Sequence, residues 1–122
     1  MVYNAIRDSK RMASDLRFSD QFSTAAVSTL SNIAEGFSRE TDREFLRGLW
    51  ISKASAAEVQ SLSYTALDQG YIGEDLRKQI YDQAEKVASL NSGMIKYLQR
   101  SFPHPKKRND SKTQRLKDPK TP

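Results

Sequence analysis

The first proline of this chain is Pro103, and the other three, Pro105, Pro119 and Pro122, follow it closely. Residues 1–102 therefore hold nothing that deletes a backbone donor or clashes with a preceding helical turn. The same stretch is rich in Ala, Leu, Lys, Arg, Glu and Gln, which lose little rotamer freedom in a helix. At 122 residues the chain is long enough for one domain with a real core. The pattern predicts an all-α fold. It is an antiparallel up-down four-helix bundle over 1–102, first helix short, followed by a disordered basic tail over 103–122.

Apolar periodicity and cap residues place the helices. The first is expected over about 2–14 with Val2, Ile6 and Ala13 inward, and Asp15 to Asp20 as a corner capped by Asp20. The second, about 21–35, has the stripe Phe22, Ala26, Leu30, Ile33 and Phe37, and Gly36 fits a left-handed residue just past its end. Thr41-Asp42-Arg43-Glu44 reads as a capping box opening a third helix that runs to Asp68, with Gly70 ending it. The fourth, about 74–100, carries the near-heptad seam Leu76, Ile80, Ala84, Val87, Asn91, Met94 and Leu98.

The third helix has two apolar arcs. One holds Phe45, Leu46, Leu49, Trp50, Ala56, Ala57, Tyr64 and Leu67. The other holds Gly48, Ile51, Ser55, Val59, Leu62 and Ala66. A peripheral helix needs one such face. The second arc is expected to be a subunit interface, its small residues allowing close approach; the competing reading makes this helix the central one of its own bundle.

The formal net charge is +5, and its distribution matters more than its size. Lys106, Lys107, Arg108, Lys112, Arg115, Lys117 and Lys120 stand against Asp110 and Asp118 in the tail, while residues 1–102 balance 13 cations against 13 acids. With Leu116 its only aliphatic residue, the tail cannot bury enough surface to fold alone. Absence of cysteine excludes disulfides, thiolate catalysis and Cys-ligated zinc. No apolar run nears the roughly 18 residues that span a bilayer, and the N-terminus lacks a signal-peptide core. A cytoplasmic location is expected.

The run Ala25-Ala26-Val27-Ser28, then Asn32-Ile33-Ala34-Glu35-Gly36-Phe37, resembles the signature of the four helix bundle protein family, whose members were first noticed as products of intervening sequences in large-subunit ribosomal RNA genes. The match continues through Arg43-Glu44-Phe45-Leu46, Ser55-Ala56-Ala57-Glu58-Val59 and Ala66-Leu67-Asp68-Gln69-Gly70-Tyr71-Ile72. The resemblance implies a bundle that assembles as a ring-shaped homopentamer. It also implies similarity to the accessory variability determinant of diversity-generating retroelements, which binds nucleic acid and a reverse transcriptase through a positive surface. The chain departs from the family in three places. Met1 falls where a longer first helix should be half over, Gln21-Phe22-Ser23-Thr24 lacks an expected arginine, and Thr29-Leu30-Ser31 replaces a proline-containing segment.

Among single residues, Asn32, Glu35 and Gly36 are expected to form a structural corner between the second and third helices. Glu58 has no histidine or second carboxylate at a useful spacing and is expected to be structural. His104 lies between two prolines and is a poor ligand or base. Phe45, Trp50, Tyr64 and Tyr71 could form a base-stacking platform but at helical spacing are expected in the core. No cofactor, metal or small-molecule substrate is expected, and no cluster supplies nucleophile, base and oxyanion donors together. The expected function is non-enzymatic: an oligomer, expected to be a pentamer, that binds RNA or a nucleoprotein partner such as a reverse transcriptase by electrostatics. The tail cations would be its main phosphate contacts, or serve only to solubilise the chain, and Arg39, Arg43 and Arg47 would be a secondary strip, or pair only with Glu40, Glu44 or Glu58. The alternative is a protein–protein adaptor or structural ring without a nucleic-acid role.

Overall fold

A computed structural model of the chain describes residues 1–38 and 41–101. It holds five helices: α1 (Val2–Asp8), α2 (Lys10–Ser14), α3 (Leu16–Ser38), α4 (Asp42–Asp68) and α5 (Glu74–Ser101). The described residues contain no strand. The three long helices run up, down and up. α4 lies in the middle and packs against α3 along one side and α5 along the other. The short α1 and α2 fill the place of the bundle's first helix and rest against the lower part of α3, next to the α4–α5 turn.

The break between α1 and α2 is local chemistry. Ser9 leaves the helical region at φ −113° and ψ 107°, and its hydroxyl accepts from the Met12 N–H at 3.2 Å. A single helix over 2–14 is therefore replaced by two short ones. The expected corner of 15–20 shrinks to one residue, because Asp15 Oδ1 accepts from the Phe18 N–H at 3.2 Å and α3 begins at once. Asp15, not Asp20, is the cap.

Two termini are as the residues dictate. Thr41 accepts from the Glu44 N–H at 3.1 Å and its hydroxyl donates to the Glu44 carboxylate, also at 3.1 Å. At the end of α4, Gly70 takes φ 73°, Gly70 N–H donates to Leu67 O, and Tyr71 N–H donates to Ala66 O. That pair of bonds is a Schellman closure, with glycine at the left-handed position.

Gly36 is different. It lies inside α3, which continues to Ser38, and it has no positive φ. A Cβ on Gly36 would stand 3.2 Å from the Phe45 Cα, and one on Gly48 would strike the Asn32 carbonyl oxygen and lie 3.3 Å from the Gly36 Cα. Gly36 and Gly48 are a close crossing of two backbones, not a helix stop.

The core falls in two clusters. The lower one joins Val2, Ala5, Met12, Phe18 and Phe22 to Ala56, Val59, Leu62, Ala66, Ile72, Ile80 and Ala84. The upper one joins Leu49, Ile95 and Leu98, with Ile33, Phe45 and Leu46 packed on it. Between them lies a polar layer. Asn91 Nδ2 donates to Ser52 Oγ at 2.9 Å, and Ser52 Oγ donates to the Thr29 carbonyl. All three residues are buried. The seam of α5 therefore reads Ile80, Ala84, Asn91, Ile95 and Leu98; Met94 is exposed and Ile95 takes its place.

The second arc of α4 is inside the protomer. Gly48, Ser55, Val59, Leu62 and Ala66 are buried by the chain's own neighbours, and only Ile51 remains exposed. The expectation of a subunit interface there is corrected. α4 has two apolar faces because it is the central helix with a neighbour on each side.

Candidate nucleic-acid interface

With α3 and α5 on its flanks, α4 keeps one face in solvent. Arg43, Arg47 and Trp50 lie on it at i, i+4 and i+7, the spacing that stacks side chains along one side of a helix. Arg43 and Arg47 are exposed, and the ion pairs among the described residues, Arg77–Glu74 and Lys78–Asp82, involve neither. Trp50 is 48% exposed, with Lys53 Nζ 5.2 Å from its ring centroid. The register between α4 and α5 is set by Gln60 Nε2 donating to Glu85 at 2.9 Å and by the Tyr64–Tyr81 ring contact. Lys53 is two turns above Gln60 and Lys96 three turns above Glu85, so both lie on the facing shoulders of the two helices, at the level of Trp50.

The four aromatics of the sequence reading therefore part company. Phe45 packs on the upper cluster and lies 5.6 Å from the Phe37 ring. Tyr71 packs 5.5 Å from Phe18 and its hydroxyl donates to Asp15 Oδ2 at 2.6 Å. Tyr64 is half-exposed but held under the Arg77 guanidinium at 4.4 Å. Trp50 is not in the core. Its helical phase placed it beside Leu49, but one residue is 100° of rotation, enough to carry the indole from the buried side to the open one.

Arg77 is the counterexample to an open cation. It is 7% exposed, donates through Nε and Nη2 to both Glu74 oxygens at 2.8 Å, and sits over Tyr64 and Tyr81. Its Nη1 has no hydrogen-bond partner among the described residues, and the guanidinium rests on ring faces instead. The hydrogen bond from Arg77 holds the Glu74 carboxyl below its ordinary range. This cation–aromatic contact is closed and structural.

The other candidate residues divide plainly. Arg39 and the tail cations Lys106, Lys107, Arg108, Lys112, Arg115, Lys117 and Lys120 lie outside the described residues. Asn32 does not bridge the corner: its amide donates to Ser28 O and Ser28 Oγ, both at 2.9 Å, within α3. Glu35 is exposed and makes no ion pair among the described residues. What joins α3 to α4 there is the Gly36–Gly48 crossing, two turns from the Ser28–Ser55 hydroxyl contact of 2.8 Å. Glu58 accepts weakly from Gln21 at 3.4 Å at the edge of a shallow depression of about 380 Å³ between α3 and α4. Among the described residues no cluster of three or more His, Cys, Asp or Glu is placed to hold a metal. No helix there is long and apolar enough to cross a membrane.

A helical bundle whose central helix turns an arginine–tryptophan face to solvent is thus the class of molecule in view. Residues 1–93 match the model of the 23S rRNA-intervening sequence protein family, and the chain belongs to that family. A protein of unknown function from the S23 ribosomal protein family of Bacteroides thetaiotaomicron, solved at 1.70 Å, has the same fold. It aligns with a TM-score of 0.68 at 18% identity, over 78% of this chain and 91% of that one. No curated protein matches the chain.

Proposed function

We propose that this is a non-enzymatic, self-associating helical bundle that binds RNA chiefly by electrostatics. The observation that carries the reading is the pair Arg43 and Arg47 on the open face of α4, exposed and without an ion pair among the described residues. Two like charges one turn apart repel by roughly 0.2–0.5 kcal/mol, and a polyanion laid along the helix removes that cost. The seven tail cations add a second, sequence-independent contribution.

Self-association rests on a different surface. Leu30 and Phe37 of α3 are 65% and 75% exposed, and Leu90, Met94 and Tyr97 of α5 are exposed at i, i+4 and i+7. α1 and α2 contribute to the lower cluster and not to the upper one. Large apolar side chains in the half they leave uncovered favour contact with further copies. In a ring, tails and arginines recur on each copy, so weak phosphate contacts add by multivalency.

The apolar side chains also favour the second reading, a structural ring or protein adaptor without RNA. Filter binding of RNA by the full chain, by Arg43→Gln/Arg47→Gln and by a chain ending at residue 102 separates the two, with native mass measured alongside. The first reading predicts RNA retention that weakens several-fold in each variant while the oligomer persists. An oligomer that retains no RNA in any form leaves the adaptor. A monomer at high concentration contradicts self-association.

A further inference from the structure

We propose that Trp50 is a base-stacking platform and that this face therefore selects single-stranded nucleic acid; the inference rests on the RNA-binding reading above. The chain has one tryptophan, and the fold holds it half in water in the first third of its central helix. Leaving an indole exposed forgoes burial of one of the largest apolar side chains. Nothing in the packing demands it, since the upper cluster closes on Leu49, Ile95 and Leu98 beneath it.

The surroundings point to the ligand. Lys53 Nζ lies 5.2 Å from the indole centroid, and the Lys53 ammonium, like Arg43 and Arg47, makes no ion pair among the described residues. Lys96 is exposed on the facing shoulder of α5. The contrast with Arg77 is instructive: that cation is buried against two tyrosines and neutralised on two nitrogens by Glu74, while Arg43, Arg47 and Lys96 are exposed, Lys53 is half-buried, and none of the four makes an ion pair among the described residues. An aromatic plate flanked by cations without ion pairs among the described residues matches a strand whose bases are unstacked and whose phosphates flank each base. A duplex offers phosphates but keeps its bases stacked and out of reach. An acidic peptide would use the cations and leave the plate idle. As a base stacks on the indole it displaces the Lys53 ammonium, which then reaches an adjacent phosphate; Arg47 and Arg43 carry the strand along α4.

The test uses the full chain, labelled oligoadenylate RNA of twelve residues, a blunt RNA duplex of the same length, the matching DNA strand, polyphosphate and polyglutamate. Trp50 emission reports stacking and anisotropy of the label reports affinity. Single strands are expected to quench Trp50, whereas polyphosphate binds without quenching. Trp50→Leu is expected to weaken single-strand binding about tenfold or more while leaving polyphosphate affinity within about twofold, and Trp50→Phe to restore most of the loss. Equal behaviour of the DNA strand supports stacking, which needs no 2′-hydroxyl. Single-strand affinity unchanged in Trp50→Leu, with wild-type emission unquenched, overturns the stacking role but leaves electrostatic RNA binding standing. Absence of any RNA binding by the wild type overturns both. Polyglutamate that binds tighter than RNA reassigns the face to an acidic protein.

Discussion

Glycine shows how one letter can mean opposite things. Gly48 holds α4 against the Asn32 carbonyl, and a methyl group there meets backbone that cannot swing aside. Gly93, exposed in α5, has nothing within 4 Å of where a Cβ would stand. Gly48→Ala should destabilise the fold by about 1–3 kcal/mol, outweighing its gain in helix propensity. Gly93→Ala should stabilise it by about 0.5–1 kcal/mol. Urea unfolding of both variants checks the pair. Gly70 was legible in the sequence because a helix stop is a local event. Gly36 was not, because a stop and a close crossing use the same residue and only the partner helix tells them apart. Trp50 was missed for a related reason: periodicity names the stripe to within about one residue, and the boundary of the stripe is where an indole changes from core to surface.

At the scale of elements, α1 and α2 are held by Val2, Ala5 and Met12 in the lower cluster and by a polar clasp around Tyr71. Its hydroxyl donates to Asp15, its ring packs on Phe18 and lies 5.5 Å from the Arg11 guanidinium. The hydrogen bonds from the Tyr71 hydroxyl and the Phe18 N–H, with a lesser contribution from Arg17, hold the Asp15 carboxyl below its ordinary pKa against the opposing effect of burial. The Asp15 carboxylate raises the Tyr71 phenol in turn, with burial adding to the same shift. For a depressed carboxyl the stabilisation is complete above the usual value of about 4 and disappears as pH falls through the lower folded-state pKa. For a raised phenol it is complete below about 10 and disappears as pH climbs through the higher folded-state pKa. Attachment should therefore be constant across neutral pH and loosen in acid and in strong alkali. Amide exchange should show α1 and α2 losing protection in acid before α4 does, and Asp15→Asn should weaken the pH dependence at the acid end. Equal loss throughout the chain would contradict the local clasp.

The ends of α4 were legible because local signals frame it, Thr41 with Glu44 at one end and Gly70 at the other, whereas α3 was expected too short at both ends. The break at Ser9 was not, since a serine inside a short, weakly apolar segment reads equally as helix. The two arcs of α4 were read correctly as two faces. Deciding between a neighbour in the same chain and one in another subunit needed the positions of α3 and α5, which periodicity does not carry.

For the whole molecule, charge and apolar surface are separated. Cations of the open α4 face lie at the level of the upper cluster, and the exposed Leu30, Phe37, Leu90 and Met94 lie away from them. One surface can assemble copies while the other meets a polyanion. The central claim is that the second contact is electrostatic, and its most direct test is RNA affinity measured as a function of salt. For the chain ending at residue 102, phosphate contacts by Arg43 and Arg47 predict that the logarithm of affinity falls against that of salt with a slope of about −1.4, roughly −0.7 for each phosphate neutralised on a single strand, and steeper where Lys53 adds a third contact. The full chain, with seven more cations in its tail, should be steeper. Affinity that does not change with salt, or that is the same in Arg43→Gln/Arg47→Gln at every salt, would contradict it.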